Sequence, residues 1–131
     1  MADRSGVGRD LRRGGMMSGH NIGGRRFRVT GTTESSDISR DTVLEVHQAD
    51  DLIWGSYEGG AIVKGYLLGR STGEDRGIFR YIQINKSGSM DSGHSSYSVL
   101  PDEGGTMRLI ESYTWTSKVG SGVNILDEIR S

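Results

Sequence analysis

Residues 51–69 read DLIWGSYEGGAIVKGYLLG. Two segments rich in Leu, Ile, Tyr and Val flank Glu58-Gly59-Gly60, and paired glycines between such segments are what a tight antiparallel hairpin needs, because its turn residues take positive φ. Trp54 and Tyr57 are three positions apart, so on one unbroken strand they face opposite sides. Tyr57 is assigned to the inside and Trp54 to the outer surface or a protomer contact. Tyr66 shares parity with Lys64 and Ile62. The alternative use of a glycine-rich turn, cradling phosphate, needs a lysine-bearing loop running into a helix, and neither is present.

Working outward, the same grammar repeats. Segments 25–33, 41–49, 52–58, 61–69, 77–85, 89–99, 106–116 and 122–129 are rich in Val, Ile, Tyr and Thr and are separated by Gly, Asp, Asn and Ser clusters. Alternating apolar and polar residues between such punctuation marks strands. Every connection is short, which suits hairpins and excludes the crossovers that parallel pairing requires. No segment carries a helical apolar stripe. The reading is an all-β, eight-stranded antiparallel up-and-down barrel, since closure removes the exposed edges that an open sheet of this length would carry. A barrel of about eight strands has an interior that side chains fill or that admits one small ligand.

Composition narrows the functional classes. The chain has 131 residues, no cysteine and a formal net charge of −1. That length supports one core. Without cysteine there is no disulfide, thiolate nucleophile or cysteine zinc site, and His20, His47 and His94 form no spaced ligand pair. No metal and no cofactor is expected. Residues 1–24 hold little but Gly, Arg and Ser, and are read as a disordered basic tail preceding a barrel domain over 25–131; the pair Met16-Met17 fits a start nearer the fold. Up to Arg26 the chain has six arginines against two aspartates, so the ordered part is acidic and no nucleic-acid partner is expected. No apolar run reaches the roughly 18 residues of a membrane span and no secretory h-region is visible, which implies a cytoplasmic protein without a membrane partner. Asn85-Lys86-Ser87, a glycosylation sequon in form, is then a polar turn.

GSYEGGAIVKGYLLG, RYIQIN, RLIESYTWT and SGVNILDEI together resemble a family of small bacterial proteins often labelled N-acetylglutamate synthase. The resemblance runs from about Arg26 to Ile129, and in sheet arrangement that family is similar to the avidin and lipocalin barrels, described as avidin-like or calycin-like. An acetyltransferase of that name needs helices and a parallel-strand splay, which this sequence lacks. The resemblance therefore implies the barrel, and no catalytic residue is carried over from it.

Strand parity identifies the candidate site. In GIFRYIQIN, Phe79, Tyr81, Gln83 and Asn85 share a face opposite Ile78, Arg80, Ile82 and Ile84; in RLIESYTWT, Leu109, Glu111, Tyr113 and Trp115 share one. Aromatic rings with a few polar groups make a ligand pocket, mostly apolar with fixed hydrogen-bonding points. The expected lining is Tyr57, Tyr66, Phe79, Tyr81, Gln83, His94, Glu111, Tyr113 and Trp115, and an inward Glu111 requires a partner such as Arg80, Lys64 or a tyrosine hydroxyl. Gly93-His94-Ser95-Ser96-Tyr97 starts like a nucleophile elbow but lacks its closing glycine, and Ser95 is read as an ordinary strand serine. Three functions fit this lining: a barrel binding a hydrophobic small molecule; a cofactor-independent cyclase or isomerase acting on a hydrophobic natural-product-like substrate, with Glu111 or Tyr81 as catalytic group; or a structural, homo-oligomer-forming barrel with a filled core.

Overall fold

Eight strands alternate in direction along the chain: β1 (Arg25–Gly31), β2 (Val43–Ala49), β3 (Leu52–Gly59), β4 (Ile62–Gly73), β5 (Arg76–Asn85), β6 (Met90–Pro101), β7 (Met107–Trp115) and β8 (Ser121–Glu128). They pair in sequence order and close through β1 and β8, every pair antiparallel. The structure, a computed structural model, describes residues 21–130. Of the basic tail read over 1–24, residues 1–20 lie outside the described residues. Within 21–24, Ile22 is only 2% exposed, its N–H donates to Gln48 Oε1 at 3.0 Å, and Gly24 N–H donates to Val46 O at 2.8 Å. A single apolar residue among glycines shows no periodicity, so its place in the core was not visible.

The up-and-down order sorts the connections between two ends. The chain entry, Asp50-Asp51, Glu74-Asp75 and the β6–β7 turn lie at one end, which Ile22, Phe27, Val46, Ile53, Val99 and Leu126 fill with apolar bulk. Residues 32–42, the β3–β4 turn, the β5–β6 turn and the β7–β8 turn lie at the other. Gly59 and Gly60 turn the β3–β4 hairpin at φ 114° and 64°, the positive-φ geometry expected of the opening stretch.

Four tyrosines point into the lumen, and each lies across a glycine of a neighbouring strand. The pairs are Tyr57 with Gly65, Tyr81 with Gly93, Tyr97 with Gly77 and Tyr113 with Gly122. At Gly65 the three nearest atoms to an added Cβ all belong to the Tyr57 ring, and at Gly77 all belong to the Tyr97 ring. The rings fold flat over the neighbouring backbone because nothing projects there, which is how inward aromatics fit a barrel this narrow.

Two expected lumen residues lie on the outside. Tyr66 is 56% exposed: a β-bulge between Ile62 and Lys64 resets the alternation, so Ile62, Gly65 and Leu67 face inward while Lys64 and Tyr66 face outward. His94 is exposed because the inward set of β6 is Asp91, Gly93, Ser95, Tyr97 and Val99. Trp54 is on the outer face as expected, stacked on His47 at 5.6 Å between ring centroids. Near it, Tyr66, Leu68, Ile78 and Ile82 form an exposed apolar area across β3, β4 and β5. Among the described residues no helix is long and apolar enough to cross a membrane.

Gly65→Ala should destabilise the barrel by about 1–3 kcal/mol, the range for overpacking a filled interior. Because the added methyl meets only the Tyr57 ring, Gly65→Ala should cost markedly less in a Tyr57→Ala background. Chemical denaturation of the four chains of this cycle measures it, and strictly additive losses would contradict the ring-over-glycine account.

Candidate functional site

The inward residues of mid-barrel and of the polar end enclose a cavity of about 60 Å³. Tyr57, Phe79, Tyr81, Gln83, Glu111, Tyr113 and Trp115 line it, together with Asn124 from β8 and Tyr97 from β6. Seven of the nine sequence-identified residues are therefore brought together, and Tyr66 and His94 are not. The roof is Ser36, Asp37 and Ile38, from the segment linking β1 to β2. A larger depression of about 380 Å³ lies on the outer face among Arg26, Glu45, Glu58 and Lys64. Its charges already pair, Lys64 with Glu58 at 2.7 Å and Arg26 with Glu45 at 3.9 Å, and it gathers none of the inward aromatic rings but Tyr57, so the smaller lumen cavity is the better site.

The chemistry of the lumen centres on Glu111, midway along β7 and only 9% exposed. Ser95 Oγ donates to its Oε2 at 2.6 Å and Asn124 Nδ2 donates to its Oε1 at 3.1 Å. Neither partner was foreseen: Arg80 is exposed, Lys64 pairs with Glu58 on the outside, and no tyrosine hydroxyl bonds the carboxyl. The cross-strand neighbours supply the bonds instead, since Asn124 stands opposite Glu111 in the β7–β8 ladder. Burial pushes the Glu111 carboxyl above its ordinary value, and the Ser95 and Asn124 hydrogen bonds oppose the rise only in part. The Tyr57 and Tyr81 hydroxyls are also raised, first by burial and then by the nearby Glu111 charge, and burial alone pushes Tyr97 up to about 12.

Two buried polar atoms of lining residues have no partner among the described residues, the Tyr81 hydroxyl and Asn124 Oδ1. Nearly all buried polar groups in folded proteins are paired, with protein or with water.

The roof is fastened by a hydrogen-bond network. Asp37 Oδ2 accepts from Gln83 Nε2 at 3.1 Å, Asn85 Nδ2 at 3.0 Å and Lys118 Nζ at 2.9 Å. Gln83 Oε1 in turn accepts from the Tyr57 hydroxyl at 2.9 Å. On the other side Trp115 Nε1 donates to Ser35 O at 3.0 Å, and the Tyr113 hydroxyl bonds Thr33 Oγ1 at 2.8 Å. Ser35-Ser36-Asp37 read as a turn in the sequence, and its function as a roof was missed because its partners are 46 to 81 residues away.

Glu111→Gln keeps the shape and an oxygen to accept from Ser95 while removing the ionisation. The stability attached to the protonated carboxyl is fully present below the ordinary value of 4.5 and is lost as pH climbs from there toward the raised folded-state value. The variant should therefore match the parent near pH 4 and exceed it in melting temperature by a margin that grows toward neutral pH. A constant difference across thermal melts from pH 4 to 8 would show that the carboxyl does not titrate upward on folding.

A family model described as Avidin-like protein matches residues 20–129. Comparison with curated proteins and with solved structures gives no match. The family match spans every strand, the roof and the whole cavity lining, in agreement with the closed eight-stranded meander, and the chain belongs to the avidin-like protein family.

Proposed function

We propose that the protein binds a small molecule inside the barrel, against Glu111 and the ring wall of Tyr81, Tyr97, Tyr113 and Trp115. The observation that carries this reading is the aromatic-lined cavity itself, with the buried Glu111 and two residues holding unpartnered buried atoms, Tyr81 (hydroxyl) and Asn124 (Oδ1), among its lining. A buried polar atom left without a partner costs about 1–3 kcal/mol, which a bound molecule offering the complementary group would relieve. A cavity of about 60 Å³ has room for a few waters or a ligand of a handful of heavy atoms. A longer hydrophobic ligand enters only if Ser36, Asp37 and Ile38 lift away. The exposed apolar area around Tyr66 and Leu68 supports a homo-oligomer as a separate property of the outer surface.

One observation favours a second reading, a cofactor-independent cyclase or isomerase. A carboxyl that burial inclines to keep its proton, in a cavity that Tyr81 also lines, is equipped to deliver that proton to a bound substrate. The binding reading stands first because it uses the orphaned atoms directly and requires no reaction.

Native mass spectrometry of the gently purified protein is expected to show a discrete low-mass adduct that disappears on denaturation. A bare chain mass, joined by no thermal shift with any member of a fragment panel, refutes the proposal. Asp37→Ala removes three hydrogen bonds from the roof, each worth about 1 kcal/mol net, and should lower stability by about 1–3 kcal/mol while quickening exchange of the retained compound. Unchanged exchange would exclude residues 36–38 as the entry route.

A further inference from the structure

We propose that the lumen selects a small organic cation carrying N–H donors, a primary ammonium or an amidinium group, with Glu111 as its counter-ion. The inference rests on the binding reading above and names the class of ligand for that same cavity.

The charge inventory of the wall is one-sided. Among the cavity-lining residues are two acids, Asp37 and Glu111, and no Lys, Arg or His. Asp37 has its cation, since Lys118 Nζ sits 2.9 Å from it, 3.4 Å from Asp91 and 4.3 Å from the centroid of the Trp115 ring. Glu111 has none: its bonds come from one hydroxyl and one amide. An anionic ligand meets no Lys, Arg or His among the lining residues, and at Glu111 a carboxyl with no cation among the described residues.

The hydrogen-bond inventory points the same way. Asn124 Oδ1 can only accept, and it is buried and unpartnered. The Tyr81 oxygen is equally buried and unpartnered. Each Glu111 oxygen holds a single donor and keeps a lone pair free. The Tyr81 hydroxyl can donate or accept, but Asn124 Oδ1 and the free lone pairs of the Glu111 carboxylate, which Asn124 bonds through its Nδ2, call for a donor, and a donor with more than one N–H can satisfy more than one of them.

The remaining wall is aromatic. Tyr81 and Trp115 meet edge to face with centroids 5.4 Å apart, Tyr113 and Trp115 at 6.0 Å, and Phe79 lies 6.3 Å from Tyr97. Ring faces attract cations through their quadrupole, most strongly where water is excluded. Carboxylate, free acceptors and ring faces thus favour the same ligand charge, and the small volume limits the ligand to a compact one.

The test uses three probes of similar shape on the full chain at neutral pH: isobutylamine, which is then the ammonium, isobutanol and isobutyrate, each titrated calorimetrically. The expected result is that isobutylammonium binds at least about tenfold more tightly than isobutanol, as a charge-assisted bond exceeds a neutral one, with no detectable binding of isobutyrate. Glu111→Gln should abolish the preference by weakening the ammonium relative to the alcohol. Isobutanol binding as tightly as the ammonium in the parent protein overturns the cation assignment while leaving a binding barrel. A protonated Glu111 bonded to a turned Asn124 amide would produce that equality, because the wall then offers donors instead. A preference that survives Glu111→Gln removes Glu111 as counter-ion and also overturns it. Binding of none of the three overturns both this inference and the binding reading.

Discussion

The lumen of this barrel exists because four tyrosine rings lie over four missing side chains. An eight-stranded barrel encloses a space that ordinary inward side chains fill. Tyrosine is too long to stand upright there in several copies. Placing glycine directly across the ladder lets each ring lie against the neighbouring backbone, and three of the hairpins repeat the device: β3 with β4, β5 with β6 and β7 with β8. In the β5–β6 hairpin it occurs twice in opposite senses, Tyr81 over Gly93 and Tyr97 over Gly77. The rings then form a wall around the axis with a gap left between them. Aromatic bulk and a residual cavity, which compete in most small cores, here arise from one arrangement.

That constraint also explains what was legible in the sequence. Strand number, order and direction depend on local signals, two-residue alternation and turn glycines, and these were readable throughout. The inward faces of β5 and β7 were equally plain, because their rings and polar groups alternate without interruption. Legibility failed where a local signal was broken. One extra residue near Val63 reverses the parity of β4 and carries Tyr66 outward. In β6 the serines at 92, 95, 96 and 98 blur the alternation, so His94 was placed inside although it shares a face with Ser92, Ser96 and Ser98. Parity counted from Tyr97 assigns Ser95 and Asp91 to the lumen and excludes His94. Asn124 and Asp37 carried no such clue. Their significance lies in partners on other strands, Glu111 for one and Gln83, Asn85 and Lys118 for the other.

The two ends of the barrel have opposite characters, and this gives the site a direction. At one end Phe27, Val46, Ile53, Val99 and Leu126 close the lumen with apolar contacts that any opening must break all at once. At the other, closure rests on hydrogen bonds and one ion pair between Asp37 and residues of β5 and the β7–β8 turn. Bonds of that kind exchange with water at little net cost, whereas uncovering apolar area is costly in proportion to its extent. Ile38 is the main apolar contact of this closure, which is why the proposed entry route runs through residues 36–38. Lys118 gives the closure a second function, because the same ammonium that holds Asp37 also lies over the face of Trp115. Lifting the roof loosens the ring at the mouth along with it.

Glu111 then couples occupancy to folding. A carboxyl this deeply buried costs stability when ionised, and two neutral donors, Ser95 and Asn124, return only part of that cost. In most cores such a residue is paired with a base of the same chain or replaced by an apolar one. Here no base among the described residues bonds it, so an ionised Glu111 leaves the folded chain with a deficit that, on the binding reading, a bound molecule of suitable chemistry would repair. Any ligand that does so binds the folded state alone, since the cavity does not exist in the unfolded chain, and raises stability by mass action. The unfavourable electrostatics of the lumen and its capacity to hold a ligand are then one property.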